Sequence, residues 1–243
     1  MNYWFKKVRK PIIGLAPMHQ VSRADLRQKC IKFGADVTYS EMVAAEAVIR
    51  HIPQALEMMK FSKSERPFVI QIFGSNPDSM AKAAKMIETQ FKPDGIDINF
   101  GCPVQKAEKQ GFGSCQLKDK KSAGKIVKAI SDVLKKTPLS VKMRTPSRNM
   151  SDSIDFVREI YKNGIKVLAI HGRYPEQKYR GSANWEFAYE VKKQFPELVV
   201  LGNGDIRSLD DLKEKIGNLD GALIGRAAKV KPEIFEELSQ IKN

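Results

Sequence analysis

The chain is poor in the features that mark secreted, disulfide-built or membrane proteins. Three of its 243 residues are cysteine (Cys30, Cys102 and Cys115), an odd number whose spacing fits no zinc pattern, so no disulfide framework and no metal site is read from them. No apolar run approaches the length of a bilayer span, and the opening Met1-Asn2-Tyr3-Trp4-Phe5-Lys6-Lys7 has no apolar stretch of signal-peptide length. A reduced, cytoplasmic chain is expected. No G-x-G-x-x-G turn follows the first apolar run, which ends Ala16-Pro17-Met18, so the doubly wound dinucleotide fold lacks its fingerprint. Acidic side chains are the other shortage. Against 42 Lys and Arg there are 28 Asp and Glu, a net charge of +14. That excess favours a polyanionic partner, RNA or DNA first, although lysine-rich surfaces also serve solubility alone.

What is present is a repeated alternation. Eight short apolar runs rich in β-branched residues, at residues 12–16, 37–40, 68–73, 96–99, 139–143, 167–170, 199–202 and 222–224, are each bounded by Gly, Pro, Asn or charge. Between them the period is helical. Met80, Ala83, Ala84, Ile87 and Phe91 share one face, as do Ala123, Ile126, Val127, Ile130 and Leu134. Asn76-Pro77 and Ser208 read as helix starts, and Gly164 as the stop of a helix that begins near Ser151. Eight alternations without a composition break predict a single (β/α)₈ TIM barrel filling residues 1–243.

In such barrels the chemistry lies at the C-terminal ends of the strands, which turns strand position into a filter. Pro17-Met18 follow strand 1, and Glu41-Met42 follow strand 2. Gln71 lies on strand 3, and Asn99 closes strand 4 ahead of Phe100-Gly101-Cys102-Pro103. Lys142 and Arg144 belong to strand 5, and His171-Gly172-Arg173 end strand 6. Asn203-Gly204-Asp205 end strand 7 and Gly225-Arg226 end strand 8. Glycines and an arginine after strands 7 and 8 suit a phosphate, because glycine admits close backbone approach and Arg226 adds charge. Lys142, on an otherwise apolar strand, needs either an anionic or polar ligand or a carboxylate partner. His171 reads as a ligand contact or a satisfied core histidine. The amides of Gln71 and Asn99 suit the edge of a flavin or pyrimidine, or are satisfied by backbone. Cys102 offers a neutral thiol able to donate a proton; a structural thiol and a nucleophile are the other readings. Cys30 falls on the first helix and reads as core. Arg144, Arg173, Lys178 and Arg180 are candidates for gripping RNA phosphates.

Taken in order, these residues resemble the tRNA-dihydrouridine synthase family. The stretches that carry the resemblance are Ala16-Pro17-Met18, Tyr39-Ser40-Glu41-Met42, Gln71-Ile72-Phe73-Gly74-Ser75 and Asp97-Ile98-Asn99-Phe100-Gly101-Cys102-Pro103. Further along come residues 109–114, Val141-Lys142-Met143-Arg144-Thr145, His171-Gly172-Arg173, Gln177-Lys178-Tyr179, Trp185, Gly202-Asn203-Gly204-Asp205-Ile206 and Gly225-Arg226. The resemblance implies FMN as cofactor, NADPH as reductant and RNA, chiefly tRNA, as substrate. It implies that Pro17, Met18, Gln71, Lys142 and His171 contact the isoalloxazine. Asn203, Gly204, Asp205, Gly225 and Arg226 would hold the phosphate end, and Asn99 would sit near the target uracil. Hydride would pass to uracil C6, with Cys102 protonating C5. The sequence departs from the family at His19-Gln20-Val21-Ser22-Arg23 and at Pro146-Ser147-Arg148-Asn149, and the barrel is expected to stand without the family's C-terminal helical domain. Three other readings stay open: reduction of a free pyrimidine, dihydrouridine formation in rRNA, and a non-catalytic RNA-binding protein.

Overall fold

The computed structural model describes residues 3–104, 107 and 109–242. Eight parallel strands close into a barrel in sequence order, β1 pairing with β8 through Ile12↔Gly221 to Leu15↔Ile224. They are β1 (Ile12–Leu15), β2 (Val37–Ala44), β3 (Phe68–Phe73), β4 (Gly95–Phe100), β5 (Leu139–Arg144), β6 (Val167–His171), β7 (Val199–Asn203) and β8 (Gly221–Ile224). Helices follow every strand, the longest being Pro77–Gln90, Lys120–Val133 and Met150–Lys162. Their starts follow the side chains expected to cap them. Asn76 Oδ1 accepts from the Ser79 N–H at 2.9 Å, and Ser208 Oγ accepts from the Asp211 N–H at 3.2 Å. Gly164, at φ +113°, ends helix Met150–Lys162 in backbone that a side chain would strain. Cys30 is fully buried in helix Ala24–Lys32, as its place in the apolar pattern required.

One strand differs from expectation. β2 does not stop before Glu41 and Met42 but runs on to Ala44, because a register shift against β3 between Tyr39 and Met42 lets pairing resume beyond a bulge. Both residues therefore sit inside a strand rather than on a loop.

The barrel interior is layered, apolar in its lowest layer and polar in its uppermost. Ile12, Val37, Val69, Val167 and Val199 fill the lowest one, and Trp4 and Phe5 from the turn Trp4–Lys6 close it from below. The side-chain period of two then carries the same inward parity upward, from Val69 to Gln71, from Ala169 to His171 and from Leu201 to Asn203. The uppermost inward positions on these strands are polar, and lower down Asp97 on β4 and Ser140 on β5 are polar members of a largely apolar interior. The basic run Lys6-Lys7-Val8-Arg9-Lys10 accompanies the plug and lies at the base, opposite the mouth. Among the described residues no helix is long and apolar enough to cross a membrane, and no group of three or more His, Cys, Asp or Glu could hold a metal ion.

Candidate active site at the barrel mouth

Register brings the polar layer together. Asn99 pairs with Lys142, Arg144 with His171, and His171 with Asn203 on neighbouring strands. Two cavities open above them. One, of about 350 Å³, is lined by Lys142, His171, Asn203, Gly204, Gly225 and Arg226 among others. The other, of about 1070 Å³, is lined by Met42, Gln71, Asn99, Cys102, Phe112 and Lys178 among others. Pro17, Met18, Lys142, Tyr179 and Arg226 line both, so the two form one cleft. Cavities of this size admit small-molecule cofactors.

Three hydrogen-bonded groups build the cleft. In the first, Gln71 Nε2 donates to Asp97 at 2.7 Å and Asn99 Nδ2 donates to Gln71 Oε1 at 2.8 Å. Asn99 Oδ1 in turn accepts from the N–H groups of Gly101 (3.0 Å) and Cys102 (2.9 Å). The other side of the loop is held as well. The Cys102 carbonyl accepts from both the N–H and the Oγ of Ser114 at 3.0 Å. Arg144 Nε donates to the Gly101 carbonyl, also at 3.0 Å. The thiol is thus presented by a loop clamped on both faces.

In the second group, Lys142 Nζ donates to Asn203 Oδ1 at 2.9 Å, and Asn203 Nδ2 donates to the Leu223 carbonyl at 2.6 Å. Removal from water, helped by the nearby charge of Arg144, brings the Lys142 ammonium down to about 8, so it stays mostly charged at neutral pH. The same two causes act on His171. Burial, with Lys142, Arg144, Arg173 and Arg226 around it, brings its pKa to about 2, so the imidazole is neutral. Arg173 Nη1 lies 3.3 Å from His171 Nε2. A guanidinium only donates, so Nε2 accepts and the ring proton sits on Nδ1.

The third group is centred on Asp205. Arg173 Nη2 reaches both its oxygens (2.9 and 2.7 Å), the Ala183 N–H donates to it at 2.8 Å, and Arg226 Nη2 donates at 2.9 Å. Burial alone would raise the Asp205 carboxyl, but these donors outweigh it and hold it below the usual carboxylate range. Gly204, at φ +118°, has no room for a side chain: a Cβ there would lie 2.7 Å from Ala183 Cβ and 2.8 Å from His171 Cδ2.

Most of the residues singled out from the sequence meet in this cleft. Pro17, Met18, Gln71, Asn99, Cys102, Lys142, His171, Asn203, Gly204, Gly225 and Arg226 all line it. Three assignments change. Arg144 and Arg173 are each 2% exposed and bonded to backbone carbonyls, and Arg173 also to Asp205, so neither is free to grip an RNA phosphate. Asp205 lines the smaller cavity, but its carboxylate oxygens are committed to Arg173, Arg226 and Ala183, and an anionic carboxylate repels a phosphate, so its side chain is placed to bond Arg226 rather than an anion. Lys178 and Arg180 remain exposed at the rim. The sequence reading passed over Asp97 and Ser140, which lie below the strand ends. It also assigned no role to Tyr179, which is 61% exposed, with the guanidinium carbons of Arg226 and Arg144 at 5.3 and 5.7 Å from its ring centre.

Comparison with known proteins bears on this cleft. A family model described as "Dihydrouridine synthase (Dus)" matches residues 14–243. The chain is 36% identical to a probable tRNA-dihydrouridine synthase of Aquifex aeolicus over 238 residues, covering 96% of this chain and 74% of that protein. It is 34% identical to a tRNA-dihydrouridine(47) synthase-like protein of Oryza sativa over 233 residues, covering 93% of this chain and 34% of that one. It thus spans about three quarters of the first and about a third of the second. Among solved structures, the old yellow enzyme of Trypanosoma cruzi superposes with a TM-score of 0.68 at 10% identity, over 96% of this chain and 89% of that one. A 2-naphthoyl-CoA reductase complex superposes at 0.71 and 12% identity, over 94% of this chain and 50% of that one. At such identities the likeness is one of fold.

Proposed function

The chain belongs to the dihydrouridine synthase family, and from that premise we propose that it reduces uridine to 5,6-dihydrouridine in tRNA, using FMN and NADPH. The observation that carries this reading is the pairing of two half-sites in one cleft: a cationic, glycine-edged cavity at Gly204, Gly225 and Arg226, and beside it a larger cavity facing Asn99 and Cys102.

The residues present fit a flavin mononucleotide. A Cβ placed on Gly225 would meet no closer neighbours than Met18 Sδ at 3.6 Å and Ala16 Cβ at 3.9 Å, so open space adjoins that backbone beside Arg226. Gly225, Arg226 and Gly204 would take the phosphate end, with Asp205 orienting the guanidinium. Pro17 and Met18 would take the apolar face of the ring, and Gln71, Lys142 and the neutral His171 its polar edge. When bound, the flavin supplies the hydride for uracil C6. The chain's own part is to orient and to deliver a proton. Asn99 would face the base, the clamped loop would hold the Cys102 thiol toward C5, and the cleft walls would limit access of water. A base within folded RNA must first be swung out of its stack to reach this depth.

The test is dihydrouridine mapping in RNA from cells with and without the protein, beside flavin reoxidation by transcript tRNA, rRNA fragments and free uracil. Reoxidation by free uracil alone, or a protein that cannot take up FMN, refutes the proposal.

Two further outcomes follow. Arg226→Ala removes a half-exposed guanidinium without emptying the core. It is expected to weaken FMN binding by about 10–100-fold, the scale of a charge-assisted phosphate contact, while the flavin-free protein keeps its melting temperature. Fluorescence titration and thermal melting read the two quantities. RNA binding is expected to weaken steeply with salt, and replacing Lys178 and Arg180 together by alanine should reduce the slope of log K against log salt by about 2. A slope unchanged in that variant places the phosphate grip elsewhere.

A further inference from the structure

Asp97 is one of the buried ionisable groups that the chemistry above leaves unused. It is 0% exposed within β4 and lines neither cavity. A carboxylate so placed is costly unless its oxygens are satisfied. Here Ser140 Oγ donates to Oδ1 at 2.5 Å and Gln71 Nε2 to Oδ2 at 2.7 Å. Both donors point at an acceptor, which is what the ionised form provides.

The consequence runs upward. A side-chain amide has two ends of similar shape and opposite hydrogen-bonding character, and its partners decide which end points where. An ionised carboxylate only accepts, so Gln71 must turn its NH₂ down and its Oε1 toward Asn99. Asn99 must then donate with Nδ2, which leaves Oδ1 to receive the N–H groups of Gly101 and Cys102. Reversing any member sets donor against donor. The acceptor-only carboxylate at the bottom and the donor-only N–H groups of Gly101 and Cys102 at the top therefore impose the same polarity on the amides between them, and Asp97 is the anchor that Gln71 has below.

We propose that Asp97 is a positioning residue for the protonation step: its carboxylate orients the Gln71–Asn99 relay and thereby holds Cys102 facing the base. This rests on the reading of Cys102 as the proton donor to uracil. Protonation of Asp97 would either place a donor at Oδ2, against the Gln71 NH₂, or, with the proton on Oδ1 toward Ser140, leave Gln71 a neutral and weaker acceptor. Burial raises the Asp97 pKa to about 6 against the opposing pull of Ser140, Gln71 and Lys142. The groups facing it are Tyr39 on β2, whose hydroxyl is buried with no hydrogen-bond partner among the described residues, Gln71 on β3, and Ser140 and Lys142 on β5. Lys142 is already charged in this pH range. The ionised form is the competent one, so the RNA-driven step is expected to fall as pH drops through about 6.

The experiment uses the FMN-loaded protein and its flavin-free form. Asp97→Ala is expected to slow flavin reoxidation by tRNA by about 10–100-fold, the scale of losing a residue that orients a reacting one. Added to Cys102→Ala, it should cost clearly less than it does alone, because the group it positions is already gone and only the Gln71 and Asn99 contacts remain to be lost. In the flavin-free protein, amide hydrogen exchange at Gly101 and Cys102 should quicken by about tenfold while the strand amides keep their protection. Asp97→Asn cannot ionise and should lose the acidic limb near pH 6. Should the alanine variant fail to fold, Ser140→Ala serves: it withdraws a hydrogen bond that favours the anion, so the acidic limb should move to higher pH. Additivity with Cys102→Ala, unchanged exchange at the two amides, a limb that persists in Asp97→Asn, or one that stays put in Ser140→Ala overturns the proposal. A wild-type protein that never reduces RNA would instead remove the functional reading, and the exchange measurement would still test the positioning.

Discussion

Replacing Cys102 by alanine is expected to leave FMN bound and reducible by NADPH while tRNA-driven reoxidation of the flavin falls by about 10²–10⁴, the range typical of a lost general acid. The separation of the two effects follows from where the residue stands. Cys102 lines the larger cavity with Asn99 and Gln71 but not the one edged by Gly204, Gly225 and Arg226, so its truncation leaves the phosphate end intact. The loop does not depend on the sulfur. Its hydrogen bonds run through the Cys102 backbone, from the N–H to Asn99 and from Ser114 to the carbonyl. Alanine therefore keeps the scaffold and removes only the proton. Cys102→Ser sharpens the result. A hydroxyl fills the space of the thiol but is a far weaker acid, so serine should rescue little if the thiol donates a proton and most of the activity if the thiol merely packs. Stopped-flow measurement of the two half-reactions decides between them; near-normal RNA-driven reoxidation in the alanine variant rules the acid role out.

The barrel was legible because eight apolar runs share one period and one kind of boundary, and because Asn76 and Ser208 cap helices by local chemistry that needs no tertiary context. The mouth was legible for a related reason: Gln71, Lys142, His171 and Asn203 continue the inward parity of apolar neighbours, so position on the strand forecasts convergence. The misreadings of Arg144 and Arg173 share one cause, chain return. Arg173 follows a strand and carries charge, which reads as an exposed grip. In the fold, residues 174–184 double back over it, close enough that Asn184 N–H bonds the Gly172 carbonyl at 2.6 Å and a Cβ on Gly172 would lie 2.3 Å from Asn184 O. Nothing in the local sequence announces that return. Asp97 was missed for the opposite reason. A filter for polar residues at strand ends passes over one in mid-strand, although an aspartate between Ile96 and Ile98, two residues before Asn99, has the parity to face the same interior.

The corrected place of Arg173 carries the second large expectation: Arg173→Ala should destabilise the fold by about 3–5 kcal/mol, the cost of breaking a buried ion pair from one side, and should weaken FMN binding by up to the loss expected for Arg226→Ala, without changing the salt slope of RNA binding. Asp205 sits at φ +58°, a left-handed conformation that a non-glycine residue keeps only when its surroundings impose it. Arg173 is the main imposing group. It is 2% exposed, and its fork spans the Arg180 and Gly181 carbonyls together with both Asp205 oxygens. Lysine cannot reproduce that fork with one nitrogen, so Arg173→Lys should recover only part of the loss. With Arg173 gone, Asp205 keeps a charge it can no longer neutralise except through Arg226. That arginine is then drawn from phosphate binding into structural compensation, and the phosphate end loses its cation through a substitution that does not touch it. Urea unfolding of the flavin-free protein and flavin titration of the folded fraction measure the two effects separately. In Arg226→Ala the affinity should fall alone; in Arg173→Ala both should fall. Loss of stability with unchanged flavin affinity would show that Asp205 does not hold Arg226 for the phosphate, and a reduced salt slope would return Arg173 to the RNA surface.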